Sequence, residues 1–246
     1  LDIGWVRMLS HPVFGKDDDR RGYDCLPRTQ RHTGDILVTR YAAPFTTFGK
    51  NAGASQSRLR PNHLYLRTSL SAGKLFAGRD IAANPPDGAA AKMMELVAHA
   101  YFIRTQHAPA NTNCTGGRTI PALYRLEQAN GKLLTKEVAR GIEQFQVQYG
   151  IDGNGNGSID KFIDAMDAHD PRWSQLVAVR IWLLARAECP ETGYDNSHRY
   201  VMGNILVDPA HTDRDGNGLI DGDVDGDGND DYRRRLFTGT VALRNP

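Results

Sequence analysis

The chain has 246 residues, of which 40% are hydrophobic and 24% are charged, and its net charge is +1. This composition predicts a folded protein rather than a disordered one. It excludes a general nucleic-acid-binding surface, which needs a concentrated positive field. The sequence also contains no run of about 18 apolar residues that could span a membrane.

The chain contains three cysteines, Cys25, Cys114 and Cys189, and their spacings fit no zinc-binding pattern. In an oxidising compartment, one pair would form a disulfide and leave one thiol over. The alternative is three small buried hydrophobic side chains. The sequence leaves the pairing open.

Apolar residues alternate with polar ones along much of the chain, a pattern typical of strands that are buried on one face. The pattern predicts strands at 63–70, 142–151 and 235–245, and a short apolar run that ends at a proline predicts another at 34–44. Residues 173–187 have a length that suits a helix or a strand, and their alternation favours a strand. A hairpin is predicted over 121–139, with its turn at Asn130-Gly131. Residues 89–105 combine helix formers with a β-prone run, so both structures stay open there. Because the connections are short, we expect an α+β fold class with a predominantly antiparallel β-sheet.

The strand at 142–151 has the cleanest alternation. Phe145, Val147 and Tyr149 lie on one face, and three glutamines, at positions 144, 146 and 148, lie on the other.

Three acidic segments share the spacing D-x-[DN]-x-[DN]-G-x-x-D, at residues 152–160, 213–221 and 223–231. Calcium is a hard cation that takes six to eight oxygen ligands at roughly 2.3–2.6 Å. Ligands at positions 1, 3 and 5 can converge only where the chain turns sharply, which glycine at position 6 permits. Position 7 then supplies a backbone carbonyl, and position 9 coordinates directly or through water. The segments therefore predict calcium-binding loops between strands.

The candidate ligands follow from this register. In the first loop they are Asp152, Asn154, Asn156, Ser158 and Asp160. In the second loop they are Asp213, Asp215, Asn217, Leu219 and Asp221. In the third loop they are Asp223, Asp225, Asp227, Asn229 and Asp231. Asp164 and Asp225 each lie four residues beyond position 9 of the first and second loops, and they extend both ligand sets.

The loops depart from the EF-hand, which needs a bidentate glutamate at position 12. That position holds Ile163, Val224 and Arg234 in the three segments. Predicted strands rather than helix pairs flank the loops, so we expect calcium to stabilise the fold and not to switch it. Two calcium sites are favoured. The third segment overlaps the second through Asp225, and it is either the site of a further ion with shared ligands or a solvated extension.

The alternatives to a calcium site are a loop without a bound ion, a magnesium site and a zinc site. A flexible acidic loop with no bound ion would leave many carboxylates to repel one another. Magnesium demands near-octahedral geometry and keeps its waters, and zinc has no His or Cys in register.

Three arginines, at positions 233–235, follow the last acidic segment. They either balance its charge or lie on an exposed strand edge, and we expect at least one of them on a solvated strand face.

A wider pattern surrounds the loops. The segments LYRLEQ…VARGIEQFQVQYGIDGNGNGSIDKFIDA (123–165), LVAVRIWLLARA (176–187) and YRRRLFTGTVALRN (232–245) together resemble the type IV pilus assembly protein PilW, a minor pilin family. DILVTRYA (35–42) and LYLRTSLSAGKLF (64–76) are similar to the central region of that family. The resemblance extends over roughly residues 34–245.

The resemblance implies a fold in which a long N-terminal helix, apolar in its first half, packs against an antiparallel sheet. LDIGWVRMLSHPVFGK does not match that helix well, and the sequence begins without a methionine. We therefore expect a single soluble pilin-like ectodomain over 1–246, with 1–33 irregular or a helix remnant and 34–246 β-rich. Membrane anchoring would occur only through the absent helix.

The resemblance also implies a role. Minor pilins of this kind assemble with other minor pilins into a hetero-oligomer that primes pilus assembly and sits at the tip, often with a large adhesin. The implied location is the inner membrane and periplasm before assembly, and the cell-surface pilus afterwards. That environment is calcium-rich and oxidising, in agreement with the loops and with a disulfide.

Two other classes of function compete. A calcium-dependent adhesin or carbohydrate-binding module would hold its ligand through the metal, but Tyr232 is the only aromatic residue close to the second acidic cluster. An enzyme is not expected, because the sequence has no G-x-S-x-G, H-E-x-x-H or P-loop motif. Nothing in the sequence fixes Cys114 and His107 as a catalytic dyad.

Overall fold

A computed structural model of the chain describes residues 4–7, 9–18, 34–43, 59–68, 73–83, 92–107, 119–129, 132–191, 193–211 and 230–243. Its strands form a seven-stranded sheet, a four-stranded sheet and a two-stranded hairpin, and every pairing is antiparallel. The predicted antiparallel β-rich fold is therefore confirmed.

Helices are few and short. Within the described residues they are α1 (Gly4–Arg7) and three 3-10 helices, at Gly78–Ala83, Pro171–Gln175 and Pro209–His211. None of the helices in this part of the chain has the length and apolar character needed to cross a bilayer.

The strands account for most of the described chain. They are β1 (Val13–Lys16), β2 (Ile36–Ala42), β3 (Leu64–Thr68), β4 (Gly73–Ala77), β5 (Lys92–His107), β6 (Thr119–Ala129), β7 (Lys132–Arg140), β8 (Ile142–Ile151), β9 (Lys161–Ile163), β10 (Leu176–Arg186), β11 (Tyr200–Met202), β12 (Ile205–Val207) and β13 (Arg234–Ala242). Every strand predicted from alternation is present, including the β6–β7 hairpin, whose turn residues 130–131 lie outside the described residues.

The seven-stranded sheet is organised around β5, which pairs with β2, β3 and β6. This strand occupies the segment in which helix formers precede a β-prone run. Ala98, Ala100 and Phe102 alternate toward the core and are 4%, 0% and 1% exposed. Burial of one face of a paired strand therefore outweighs the intrinsic helix propensity of the residues before it.

The four-stranded sheet runs in the order β13-β10-β8-β9. Its apolar face contributes to the same core as the larger sheet, because β8 contacts both β5 and β6. Trp173 packs at one end of this core. Its ring lies 4.9 Å from the ring of Tyr149 and 5.0 Å from the ring of Phe14. The aromatic contacts join β1, β8 and the segment that enters β10.

The glutamine face of β8 is also covered, whereas simple alternation predicts a solvated face. Gln146 is 1% exposed, and its Nε2 donates to Asp18 Oδ1 at 3.0 Å. A Cβ at Gly203, in the turn between β11 and β12, would lie 3.6 Å from the side chain of Gln148. The β11–β12 hairpin packs on this side of the sheet. Hydrogen-bonded amides can be buried in this way at low cost.

Cys189 is disulfide-bonded. The other two cysteines of the chain, Cys25 and Cys114, lie outside the described residues. A disulfide agrees with an oxidising compartment.

Candidate metal centre

The first acidic loop, residues 152–160, connects β8 to β9. Its two ends are fixed by backbone hydrogen bonds. The Asp152 N–H donates to Gln175 O at 2.9 Å, and the Asp160 N–H donates to Ile151 O at 2.9 Å. The loop is therefore held between two strands of one sheet.

Two glycines give the loop its tight path. Gly157, at position 6 of the pattern, has a φ of +82°, and Gly155 has a φ of +75°. Only glycine adopts this left-handed backbone at little cost. The position-6 glycine thus makes the turn that the calcium-loop register requires.

The carboxylate of Asp152, at position 1, accepts hydrogen bonds from three backbone N–H groups of the loop. Its Oδ1 accepts from Gly155 at 2.7 Å and from Asn156 at 3.1 Å, and its Oδ2 accepts from Gly157 at 2.7 Å. These donors, that of Gly157 above all, hold the pKa of Asp152 below its ordinary value. The carboxylate is therefore ionised at neutral pH, the state in which it binds a cation.

The other polar side chains of the loop form hydrogen bonds within the same turn. Asn154 Oδ1 accepts from the Asn156 N–H at 3.0 Å, and Asn156 Oδ1 accepts from the Ser158 N–H at 2.8 Å. The Asp160 carboxylate accepts from the Gly153 N–H at 2.8 Å and from Asn154 Nδ2 at 2.9 Å. Positions 1, 3, 5 and 9 thus belong to one hydrogen-bonded unit.

The donor set of this loop fits calcium. It offers two carboxylates, two amide oxygens and a backbone carbonyl, all of them hard oxygen ligands, and it offers no nitrogen or sulfur ligand. The loop also lines an open cleft with Ser174 and Gln175. Within the part of the chain that the structure describes, this loop included, no three Asp, Glu, His or Cys side chains come together as a group that could hold an ion, so the loop would depend on its amide and backbone oxygens as well as on its two carboxylates.

Asp164 lies away from the loop, although the sequence pattern groups the two. β8 and β9 pair as far as Ile163, so Asp164 comes opposite Gln148, whose Nε2 donates to Asp164 Oδ1 at 2.9 Å. Asp164 lies three residues beyond Lys161 at the loop, a distance of roughly 10 Å along a strand. The structure therefore does not bring Asp164 to the side chains of the first loop.

Most of the second and third loops lie outside the described residues: Asp213, Asp215, Asn217, Leu219, Asp221, Asp223, Asp225, Asp227 and Asn229. Their binding of metal stays a prediction. Asp231, at position 9 of the third loop, is described and is 0% exposed. Its backbone carbonyl accepts from the Glu191 N–H at 2.9 Å.

A buried ion-pair network anchors the chain directly after these segments. The side chain of Arg234 is 5% exposed and bonds Glu143 and Asp230, which are 3% and 2% exposed. Asp230 Oδ1 also accepts from the Tyr232 N–H at 3.0 Å. Arg186 lies 3.8 Å from Glu143, and its guanidinium lies 4.1 Å from the Tyr232 ring. The network fixes the start of β13 against β8 and β10.

The three consecutive arginines have three different environments. Arg233 is 59% exposed and pairs with Glu191, with Nε 2.5 Å from Oε2. Arg235 is exposed, and its guanidinium lies 5.3 Å from the ring of Phe237. The prediction of at least one solvated arginine is confirmed, but Arg234 points inward. A charged residue inside an apolar strand, Glu143 in IEQFQV, is the signal in the sequence that predicts such a partner.

Another buried carboxylate, which no motif indicates, is that of Asp35, which bonds the backbone of β8 at residues 145 and 147. The Asp35 N–H donates to Phe145 O at 2.8 Å, and Asp35 Oδ2 accepts from the Val147 N–H at 2.7 Å. Asp35 Oδ1 accepts from the Asp18 N–H at 3.0 Å. Burial, together with the nearby charges of Asp17 and Asp18, raises the pKa of Asp35 to about 8.

Comparison with known proteins identifies a family. The family model described as Type IV Pilus-assembly protein W matches residues 100–245, a span that contains the acidic segments and the ion-pair network. Searches of curated proteins and of solved structures gave no match to the chain.

Proposed function

Because the chain belongs to the type IV pilus-assembly protein W family, we propose that it is a minor pilin that helps to prime pilus assembly. As a member of this family, it is a component of type IV pilus assembly at the cell envelope. In the proposal it joins other minor pilins in a hetero-oligomer at the pilus tip, often with a large adhesin. It resides at the inner membrane and periplasm before assembly and on the surface pilus afterwards, anchored through an N-terminal helix of the kind that the resemblance implies.

The single observation that carries this proposal is the extent of the family match. Residues 100–245 contain every strand from β6 to β13, so the match covers the whole four-stranded sheet and its connections. The matching family is described as a pilus-assembly protein, which supports the assembly role.

In the proposal, calcium stabilises the loops and does not change the conformation of the protein. The first loop would hold one ion through Asp152, Asn154, Asn156 and Asp160, with the carbonyl of Ser158. The ion would offset the repulsion between the carboxylates. Because β8 and β9, on either side of the loop, are paired in one sheet, no hinge would open when the ion binds. A second ion would bind within residues 213–225.

The adhesin alternative receives less support from the site. Tyr232 is 2% exposed, and the guanidinium of Arg186 covers its ring at 4.1 Å. A sugar ring stacks on an exposed aromatic face, which Tyr232 does not offer. Its position favours a structural part in the network over ligand binding.

A pull-down with the minor pilins of the same organism tests the assembly role. We expect the immobilised chain to retain sibling minor pilins from a mixture of their soluble domains, since a hetero-oligomer requires direct contacts. Binding of the siblings to one another in the same mixture is the internal control. If the siblings bind one another and none binds this chain, the proposed role is wrong. Retention of a glycan instead, in a calcium-dependent manner, would support the adhesin.

A further inference from the structure

β13 is the last strand of the four-stranded sheet, so within the described residues one of its edges has no neighbouring strand. It pairs with β10 at nine consecutive positions without a register shift. Residues 236–242, LFTGTVA, contain no charge and no proline. Natural edge strands usually carry charges, a proline or a bulge, or are very short, because these features prevent pairing with other chains.

The other edges of the described sheets have such protection. β7 carries charges at Lys132, Lys136, Glu137 and Arg140, and its pairing with β6 contains a register shift. β9, β11 and β12 have three residues each, β1 has four, and β4 has five, one of which is Lys74. In the described part of the molecule, β13 is therefore the long edge without protection.

The direction of the backbone groups of β13 follows from the bonds at its two ends. Arg233 O accepts from the Ala187 N–H at 2.9 Å, and the Leu243 N–H donates to Val177 O at 2.8 Å. The odd-numbered residues thus point their backbone groups toward β10. Because direction alternates along an antiparallel strand, the N–H and C=O groups of residues 236, 238, 240 and 242 point to the outer edge.

The side chains along this edge are nearly symmetric about Gly239. Thr238 and Thr240 flank the glycine, and Phe237 and Val241 come next. Phe237 is 48% exposed and Val241 is 56% exposed. Gly239 has no atom within 4 Å of the position that a Cβ would take. The edge is therefore apolar, accessible and similar when read in either direction.

We propose that β13 pairs antiparallel with β13 of a second copy of this chain, about a two-fold axis at Gly239. Phe237 then faces Val241 of the second copy, and Thr238 faces Thr240. Aromatic with β-branched pairs and threonine pairs are both favourable across strands. Gly239 faces its own counterpart in a pair without hydrogen bonds, where the Cα atoms approach to about 4.5 Å. No charges of like sign oppose each other between residues 236 and 242.

The pairing joins two four-stranded sheets into one continuous sheet. A single pair of strands buries less area than the roughly 1,600 Å² of a standard interface. The dimer is therefore weak and forms at high local concentration. This association is independent of the assembly role proposed above and of calcium binding.

Disulfide trapping tests the register. Gly239→Cys is expected to give a covalent dimer under mild oxidation, because the Cα distance suits a disulfide and the added side chain has space. Phe237→Cys alone is the matched control, since its two copies would lie more than about 13 Å apart along the strands. The double variant Phe237→Cys with Val241→Cys restores the crosslink. The unmodified chain sets the background from its native thiols.

Sedimentation over a range of protein concentrations tests the association itself. We expect reversible dimerisation of the unmodified chain, and an association constant at least about tenfold lower for Gly239→Lys, which places two ammonium groups at the axis. Gly73→Lys, on the edge strand β4, is the charge-matched control and should dimerise normally. A chain that stays monomeric at every concentration, or trapping through Phe237→Cys but not Gly239→Cys, would overturn the proposal.

Discussion

Arg234→Ala is expected to lower the free energy of unfolding by about 3–5 kcal/mol, the usual cost of removing one partner from a buried ion pair. The side chain of Arg234 is 5% exposed and bonds Glu143 and Asp230 at once. Its removal leaves two buried carboxylates, and Arg186, 3.8 Å from Glu143, compensates only one of them. Denaturant unfolding of the two proteins under the same conditions measures the difference.

The neighbouring arginine is the matched control. Arg233 has the same charge and lies one residue earlier, but it is 59% exposed and its partner Glu191 is 57% exposed. Exposed pairs contribute about 0–1 kcal/mol, so Arg233→Ala should change stability little. Equal effects of the two substitutions would show that the network does not anchor β13 as described.

The contribution of Asp35 to the stability of the chain is expected to fall as the pH rises from about 4 to about 8. Burial raises the pKa of this carboxyl from 3.8 to about 8. Between those values the folded state keeps a proton that the unfolded state has released. At this group the folded state binds more protons, so the contribution of Asp35 to stability decreases with pH, by up to about 1.4 kcal/mol per pH unit, and levels off above pH 8.

Asp35→Asn isolates this contribution. The amide cannot ionise, so the difference in unfolding free energy between the two proteins should shift with pH in favour of the variant. Asn also loses one of the two acceptors that bond the Asp18 and Val147 N–H groups. The variant should therefore be the less stable protein near pH 5. The measurement needs a chelating buffer, so that no divalent cation binds near Asp17 and Asp18. Parallel pH profiles for the two proteins would contradict the account.

The strands were predictable because alternation is a local property. Residues 142–151 alternate cleanly, and the Asn130-Gly131 pair lies between two predicted strands that form a hairpin, so both were identified from sequence. Residues 89–105 remained open because their outcome depends on a partner: β5 lies between strands on both sides and buries one of its faces. Local propensity does not encode such neighbours.

The environment of a polar residue was less predictable than its strand. Gln146 and Arg234 are both buried because a distant segment supplies their partners, Asp18 for one and Glu143 for the other. Asp164 shares a sequence spacing with Asp225, yet strand pairing turns it toward Gln148. Asp35 carries no motif at all. Its role depends on an open strand edge that exists only in the folded chain.

The central claim is that bound calcium stabilises this pilus-assembly protein without changing its shape. Thermal unfolding with and without calcium tests that claim most directly. We expect calcium at a hundredfold excess over its dissociation constant to stabilise the chain by about 2.7 kcal/mol for each occupied site, with no change in its scattering profile. Asp152→Ala should lose one bound ion and part of that stabilisation, whereas Asp80→Ala, which removes an exposed carboxylate elsewhere, should not. A melting temperature that is the same in calcium and in chelator, or a large calcium-dependent change of shape, would contradict the account.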